Sequence, residues 1–549
     1  MLGNTRAELM ITPYFTIRPL FTMLHPKATV TENSLRATPV SKRENVSDGI
    51  IITILMIIAG VLRFLQLSRK SFWFDEGVSV AIARLDWYNF AHLLWRREAN
   101  MALYYLLLRG WLHFGHSEAF IRSLSILPAI AAVPVLYWLG RQLFDRQAGL
   151  IAAALLTLNA YHIAYSQEAR SYTLFVLLAM LSALFFVRSL QDPWPWNRRL
   201  HIATSVLAVY AQFFAVLLVV TEWFSLKLLE QRQVQEQLRT SWRWIAALGA
   251  PVLMFVAARG VGPLAWISRP GFHDLYKCFL FLCGDGRPLL LIYALSCVPA
   301  FSAAMEKFTT RRTDWVQWRY RFLFLWLIFP LFFIFILSQF RPLFLDRYFL
   351  FLLPALALLA AAGLGRLPSR WLTTLGLVLF ACLSVRGVEI YSERDFDMAQ
   401  EDWRSATRYV LDRAQEGDVL IFHAIMGRMP FEYYRWNSSG PLVICPHHGE
   451  QITFRDFYGH PDEAFLTSVP SRYPRVWIVF SHNQARLGGG SDALTERITQ
   501  MFGTAYTQSQ LQSLPGIEVR LYSGTRGVLG HGGLPVAASP NSGTAQTPR

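Results

Sequence analysis

The stretch Ile50-Ile-Ile-Thr-Ile-Leu-Met-Ile-Ile-Ala-Gly-Val-Leu-Arg-Phe-Leu-Gln-Leu67 decides the fold class. At a rise of about 1.5 Å per residue, a run of this length nearly matches the hydrocarbon core of a bilayer. Further apolar segments follow at about 117–140, 147–165, 171–188, 200–211, 213–228, 243–258, 286–305, 322–340, 347–364 and 371–388. They predict an α-helical polytopic membrane protein with about eleven crossings. Composition agrees: of 549 residues, 53% are hydrophobic and only 16% charged, against about 25% charged in a soluble domain. So few charges cannot cover a water-soluble body of this size. The net charge of +15 comes from short basic clusters between apolar runs, so no nucleic-acid partner is expected. Five scattered cysteines indicate neither a disulfide framework nor a zinc ribbon.

Lys and Arg accumulate on the cytoplasmic side, which assigns each loop. The loops with Arg141 and Arg146, with Arg188, Arg198 and Arg199, with Lys227 to Arg243, with Lys307 to Arg321, and with Arg366 and Arg370 read as inside. Basic loops flank His201 to Leu229 at both ends, so that stretch must cross an even number of times and turn near Gln212. Residues 1–49 are then a cytoplasmic tail without a signal peptide pattern. Residues 50–390 are the membrane domain, and everything after Tyr391 lies outside.

The first outside loop, 68–117, is the longest, and loops of such length are commonly functional. Within it Trp87, Phe90, Ala91, Leu94 and Trp95 form one apolar stripe at helical spacing, as a helix lying in the membrane interface would; a helix packed on the bundle is the other reading. After Tyr391 the pattern changes. Helices at Glu401 to Ala414 and Asp492 to Met501 alternate with strands at Val419 to His423, Arg475 to Ser481 and Ile517 to Tyr522. This predicts a C-terminal extracytoplasmic α/β domain over 391–522. The Gly, Pro, Ser and Thr rich remainder, 523–549, is expected to be a disordered tail.

The residues with chemical potential lie at membrane boundaries. Asp75 and Glu76 sit in Ser71-Phe-Trp-Phe-Asp-Glu-Gly77, and adjacent carboxylates diverge on any regular element. One is suited to accept a proton while its neighbour orients it; the competing role for Asp75 is to cap a helix over Glu76 to Arg84. Arg122 opens the second apolar segment, and an ionisable residue at membrane depth is a functional candidate unless it snorkels to the surface. The loop Tyr161-His-Ile-Ala-Tyr-Ser-Gln-Glu-Ala-Arg-Ser-Tyr172 holds His162, Gln167, Glu168, Arg170 and Tyr172, more polar groups than a tight turn requires. Arg347 opens another apolar helix from the same side. Three arginines on one face suit a phosphate, because the guanidinium keeps its charge and pairs bidentately. No ligand cluster demands a metal; Cys445, His447 and His448 lack a second pair of ligands.

Several stretches, in this order, resemble a known family. They are Trp73-Phe-Asp-Glu76, Ala102-Leu-Tyr-Tyr-Leu-Leu-Leu108, Phe120-Ile-Arg-Ser-Leu-Ser125, Ser166-Gln-Glu-Ala-Arg-Ser-Tyr172, Arg347-Tyr-Phe-Leu350 and Glu401-Asp-Trp-Arg404. The family is the polytopic glycosyltransferases of the GT-C class, specifically family 39, with the protein O-mannosyltransferases and bacterial aminoarabinose transferases. The chain departs from it at Met101-Ala102, where many members have two prolines. The resemblance implies an inner (plasma) membrane enzyme without a cofactor, although carboxylates could accept a divalent metal. It moves a sugar from a polyprenyl-phosphate donor to a lipid, glycan or protein acceptor on the extracytoplasmic face, inverting the anomeric centre. Asp75 would be the general base. Glu76, catalytic beside it, would with Arg122 and Arg170 bind or orient the donor phosphate, joined by Arg347 and supported by Tyr104, Tyr105, His162, Gln167, Glu168 and Tyr172. Two other classes fit the crossings. A transporter or flippase should show internal repeats, which are not evident; a receptor working through its α/β domain would leave Asp75, Arg122 and Arg170 without a role.

Overall fold

The computed structural model describes residues 42–525, apart from 97, 193, 230–231, 260–266, 306–314, 368, 394–400, 436–442, 446–451, 458–460 and 482–491. The expected terminal tails, apart from 42–49 and 523–525, and the residues His447 and His448 lie outside the described residues. The chain begins with α1 (Lys42–Phe64), followed by the short helices α2 (Phe74–Arg84), α3 (Trp87–Arg96) and α4 (Ala102–Trp111) of the first long loop. Then come α5 (Glu118–Leu143), α6 (Arg146–Leu158), α7 (Ala160–Ser166), α8 (Tyr172–Gln191), α9 (Pro195–Ala211) and α10 (Ala215–Lys227). The membrane domain ends with α11 (Arg232–Arg259), α12 (Phe272–Leu282), α13 (Arg287–Met305), α14 (Trp315–Ser338), a 3-10 turn (Asp346–Leu352) leading into α15 (Leu353–Leu364), and α16 (Arg370–Glu393).

Among the described residues eight helices are long and apolar enough to cross a membrane, or nine if the α6 and α7 pair, bent by 59°, is one span. The difference from the expected eleven is α9 and α10, with 17 and 13 residues. The chain does break at Gln212, which ends α9 and is followed by α10. Helix α1 begins at Lys42 rather than Ile50 because its first turns are held: buried Asp48 accepts from Tyr137 Oη and Arg146 Nε, both at 2.5 Å.

Burial follows the needs of a bilayer. Ile50, Ile54, Ile57, Val61, Leu295, Val298, Phe332 and Ile336 are exposed, far more apolar surface than a water-soluble monomer shows. By contrast, every residue of α15 is buried. Its Ala-rich surface lets neighbours approach, as small residues do between membrane helices. At Gly363 a Cβ would stand 1.7 Å from the Ser296 carbonyl oxygen of α13.

The C-terminal domain contains α17 (Trp403–Leu411), β1 (Val419–Phe422), α18 (Arg428–Arg435), β2 (Val443–Cys445), α19 (Glu463–Arg472), β3 (Arg475–Ser481), α20 (Ala493–Ala505), β4 (Tyr506–Leu514) and β5 (Ile517–Thr525). The five strands form one sheet in the order β2-β1-β3-β5-β4. Strand β1 is parallel to β2 and β3, while β5 runs antiparallel to β3 and to β4. All four residues of β1 are buried, because Leu420 and Phe422 face one apolar cluster and Val419 and Ile421 the other. Such two-sided burial explains a continuous apolar run in place of alternation.

The membrane and C-terminal domains share an interface at the first long loop. Phe72 N donates to Tyr434 Oη at 2.6 Å, Tyr433 Oη to the His116 carbonyl at 2.8 Å, and Ser71 Oγ to the Glu401 carbonyl at 3.0 Å. Glu118 accepts from Tyr434 Oη and Arg404. A Cβ at Gly77 would lie 2.6 Å from the Pro430 Cβ, so α18 rests directly on the backbone of α2. Forced overpacking typically costs about 1–3 kcal/mol. Gly363→Ala should therefore lower the unfolding temperature in detergent, while Gly110→Ala, whose Cβ meets nothing within 4 Å, should not; equal melting of the two variants would refute the close α13–α15 crossing.

Candidate functional site

Helix α2 starts at Phe74 with Trp73 as its N-cap, and Asp75 and Glu76 both fall in its first turn. Successive helical residues point about 100° apart, so the two carboxylates go to different surroundings. Glu76 turns inward and does the capping: Trp73 N donates to its Oε2 at 3.3 Å. Asp75, for which a capping role was the alternative, lies inside the first turn rather than at the N-cap position, which Trp73 holds.

Glu76 is a junction. Its Oε1 accepts from Arg122 Nε at 2.8 Å and from Ala169 N at 2.9 Å, and its Oε2 from Arg122 Nη2 at 2.7 Å. Arg122 also donates through Nη1 to the carbonyls of Leu67 (2.7 Å) and Lys70 (2.9 Å), and through Nη2 to that of Ser71 (3.0 Å). These contacts use all the N–H groups a guanidinium has. In this structure Arg122 therefore spends its donors on Glu76 and on the backbone between α1 and α2. The Glu76 side chain is 1% exposed.

Asp75 is open, with 23% side-chain exposure, and faces two cations: its Oδ2 lies 3.5 Å from Arg170 Nη2 and 3.7 Å from Arg347 Nη2. Arg170 also donates to Ser79 Oγ at 3.4 Å, one turn along α2 from Asp75, and its guanidinium carbon stands 5.8 Å from the Tyr172 ring. Its Nε and the Tyr172 hydroxyl are buried without a hydrogen-bond partner. The Arg170 backbone is fixed by Ser125 Oγ, which donates to its carbonyl at 3.0 Å and also bonds Tyr104 Oη at 2.8 Å. Tyr105 is buried in the same apolar cluster as Tyr104. Arg347 stacks near Trp73, 5.6 Å from the ring centroid. Asp75, Arg170, Arg347 and Tyr172 are therefore brought together.

The remaining expected residues divide. His162 is buried and its Nδ1 is 2.8 Å from Arg63 Nη2, so it serves α1 rather than Asp75. Gln167 donates to the carbonyls of Arg63 and Leu65 at 3.1 and 3.0 Å, closing the end of α1. Glu168 lines a cavity with Trp73, Glu76, Arg122, Arg69, Lys70 and Tyr391, whose apolar wall is Leu62, Leu65, Ile163 and Val388. Burial, and then the negative charge of Glu76, push its carboxyl up to about 8 against the pull of Arg347 and Arg170. Arg63 escaped the sequence reading although it interrupts the first apolar run. It donates to the carbonyls of Ala59, Thr157 and Leu156 at 3.1, 3.2 and 3.3 Å; an arginine inside a span is the signal that could have found it. Among the described residues, no three His, Cys, Asp or Glu side chains converge as a metal site would require.

Residues 101–258 match the family model described as dolichyl-phosphate-mannose-protein mannosyltransferase. That span holds Arg122, Arg170 and the supporting residues but neither Asp75 nor Arg347. No curated protein matches the chain by sequence. Among solved structures, ArnT from Cupriavidus metallidurans in the apo state superposes with a TM-score of 0.58 at 13% identity, covering 86% of this chain and 97% of its own. The same protein bound to undecaprenyl phosphate gives 0.57 at 14% identity, with 86% and 97% coverage. The apo Archaeoglobus fulgidus oligosaccharyltransferase gives 0.50 at 10% identity, covering 80% of this chain and 70% of its own. The chain is a multi-pass membrane protein with the fold of the GT-C glycosyltransferases, and it resembles the family of protein mannosyltransferases and ArnT within that class.

Proposed function

We propose that the protein transfers a sugar from a polyprenyl-phosphate donor to an acceptor hydroxyl at the extracytoplasmic face of the inner membrane, with inversion. The observation that carries this reading is the open carboxylate of Asp75 between the guanidiniums of Arg170 and Arg347, at 3.5 and 3.7 Å. A phosphate entering between these two cations offers more acceptor oxygens than one Asp75 oxygen and takes over their N–H groups. Asp75 is then released from their attraction and becomes the better base. The acceptor hydroxyl gives its proton to Asp75 as its oxygen attacks the anomeric carbon, and the bond to the phosphate oxygen breaks on the opposite face. Charge grows on the leaving phosphate, where fixed cations stabilise the transition state most. The binding of ArnT to undecaprenyl phosphate supports the donor class. Loop charges and the position of Asp75 just beyond α1 support the orientation.

The roles of the two neighbouring acids separate by measurement. Asp75→Asn keeps size but removes basicity, and positioned general bases contribute about 10²–10⁴-fold. Transfer should fall by that factor in turnover, while affinity for a short-chain polyprenyl phosphate holds or rises because a negative charge has left the cations. Turnover near wild type would dismiss Asp75 as the base. Glu76→Gln should act on stability instead, since removing one partner of a buried ion pair costs about 3–5 kcal/mol; unchanged melting would contradict its junction role. Arg170→Lys and Arg347→Lys retain charge but not the planar fork, so each should weaken donor binding more than tenfold, a loss of about 1.4 kcal/mol or more. Lys variants that titrate like wild type would exclude these residues from the donor site.

A further inference from the structure

We infer that Glu168 works as a protonated carboxylic acid that donates a hydrogen bond to the phosphodiester of the lipid-linked donor, an inference that rests on the proposed donor class. Three observations carry it. Glu168 Oε2 is buried without a hydrogen-bond partner, although the residue lines a cavity with one apolar and one polar wall. Trp73 lines that cavity and its ring stands 5.6 Å from the Arg347 guanidinium, and the charges of Arg347 and Arg170 act on Glu168. The anion that acts on it most strongly is Glu76, which is itself hydrogen-bonded to Arg122 and to the Ala169 amide.

A buried oxygen left without a partner costs free energy that a ligand contact recovers. As a carboxylate, Glu168 could only accept, and it would repel a phosphodiester. As an acid it donates, and burial holds it in that form up to about pH 8. The groups facing it are Glu76 and Asp75 from α2, Tyr104 from α4, Arg170 from its own loop, Arg347 from the 3-10 turn, and the phenols of Tyr165, Tyr172 and Tyr391. Arg122 and the cavity-mouth residues Arg69 and Lys70 complete the set. Burial keeps the Glu168 carboxyl protonated up to about pH 8, so it changes charge just above neutral pH.

The test uses a short-chain polyprenyl methyl phosphodiester, which carries one fixed negative charge over the range examined, from about pH 6 to about pH 9. Its affinity for the detergent-purified full chain should be level up to about pH 8 and then fall by about tenfold per pH unit as the carboxyl ionises. Glu168→Gln keeps a donor that cannot ionise, so its affinity should stay near the neutral-pH wild-type value across the range. Glu168→Ala should bind several-fold more weakly at neutral pH, and its profile should also be flat. A wild-type profile that is level to pH 9 overturns the inference without any variant, as does a fall that Glu168→Gln shares. If the wild type binds no phosphodiester at any pH, the donor reading fails first and this inference fails with it. Infrared difference spectra between wild type and Glu168→Gln at neutral pH give a second readout: a protonated carboxyl band must be lost in the variant, and its absence from wild type would refute the acid.

Discussion

The bidentate contact between Glu76 and Arg122 is the interaction on which the site depends. It is buried, and taking two charges out of water is repaid only when hydrogen bonds satisfy both groups. Here they do. The remaining N–H groups of Arg122 hold the carbonyls of Leu67, Lys70 and Ser71, and the remaining capacity of Glu76 holds the amides of Trp73 and Ala169. One ion pair thereby joins the end of α1, the start of α2, the start of α5 and the loop before α8. Asp75 is the residue before Glu76, and Arg170 the residue after Ala169. Their mutual position therefore rests on this ion pair as well as on their own contact at 3.5 Å.

The arrangement also divides labour between adjacent carboxylates. Because helical neighbours diverge by about 100°, one acid can be wholly committed to architecture while the next stays 23% exposed and available.

The legibility of each element in the sequence depended on where its partners lie. Helix α8 was evident because an unbroken apolar run needs no partner to be identified. Strand β3, Arg475–Ser481, was evident for the same reason, being buried on both faces. Strand β4 was not: Tyr506-Thr-Gln-Ser-Gln-Leu-Gln-Ser-Leu514 is a largely exposed edge strand, whose register is set by backbone pairing with β5 across Pro515 and Gly516, the latter at φ 67°. The chemistry of Arg122 was legible as a residue type, but its partners are backbone carbonyls more than fifty positions away. Sequence could name the guanidinium without showing that its donors were already used. Met101 is the converse case. It stands at φ 66°, a conformation that the proline ring forbids. Proline at 101 would therefore not fit this entry to α4, whose Tyr104 and Tyr105 are buried.

The change in composition after Tyr391 suggests two separable parts, yet the contacts at α2 argue otherwise. The C-terminal domain places Pro430 against Gly77, directly behind the two acids, where no side chain would fit. It also binds both ends of the same loop, Tyr434 at Phe72 and Tyr433 at His116, and Glu118 receives both Tyr434 and Arg404. Helix α2 is consequently held on one side by Arg122 and on the other by α18. An eleven-residue helix has little intrinsic stability in water. The C-terminal domain supplies part of what it lacks: Pro430 covers the face at Gly77, so the direction of Asp75 does not rest on the Glu76 side of the helix alone.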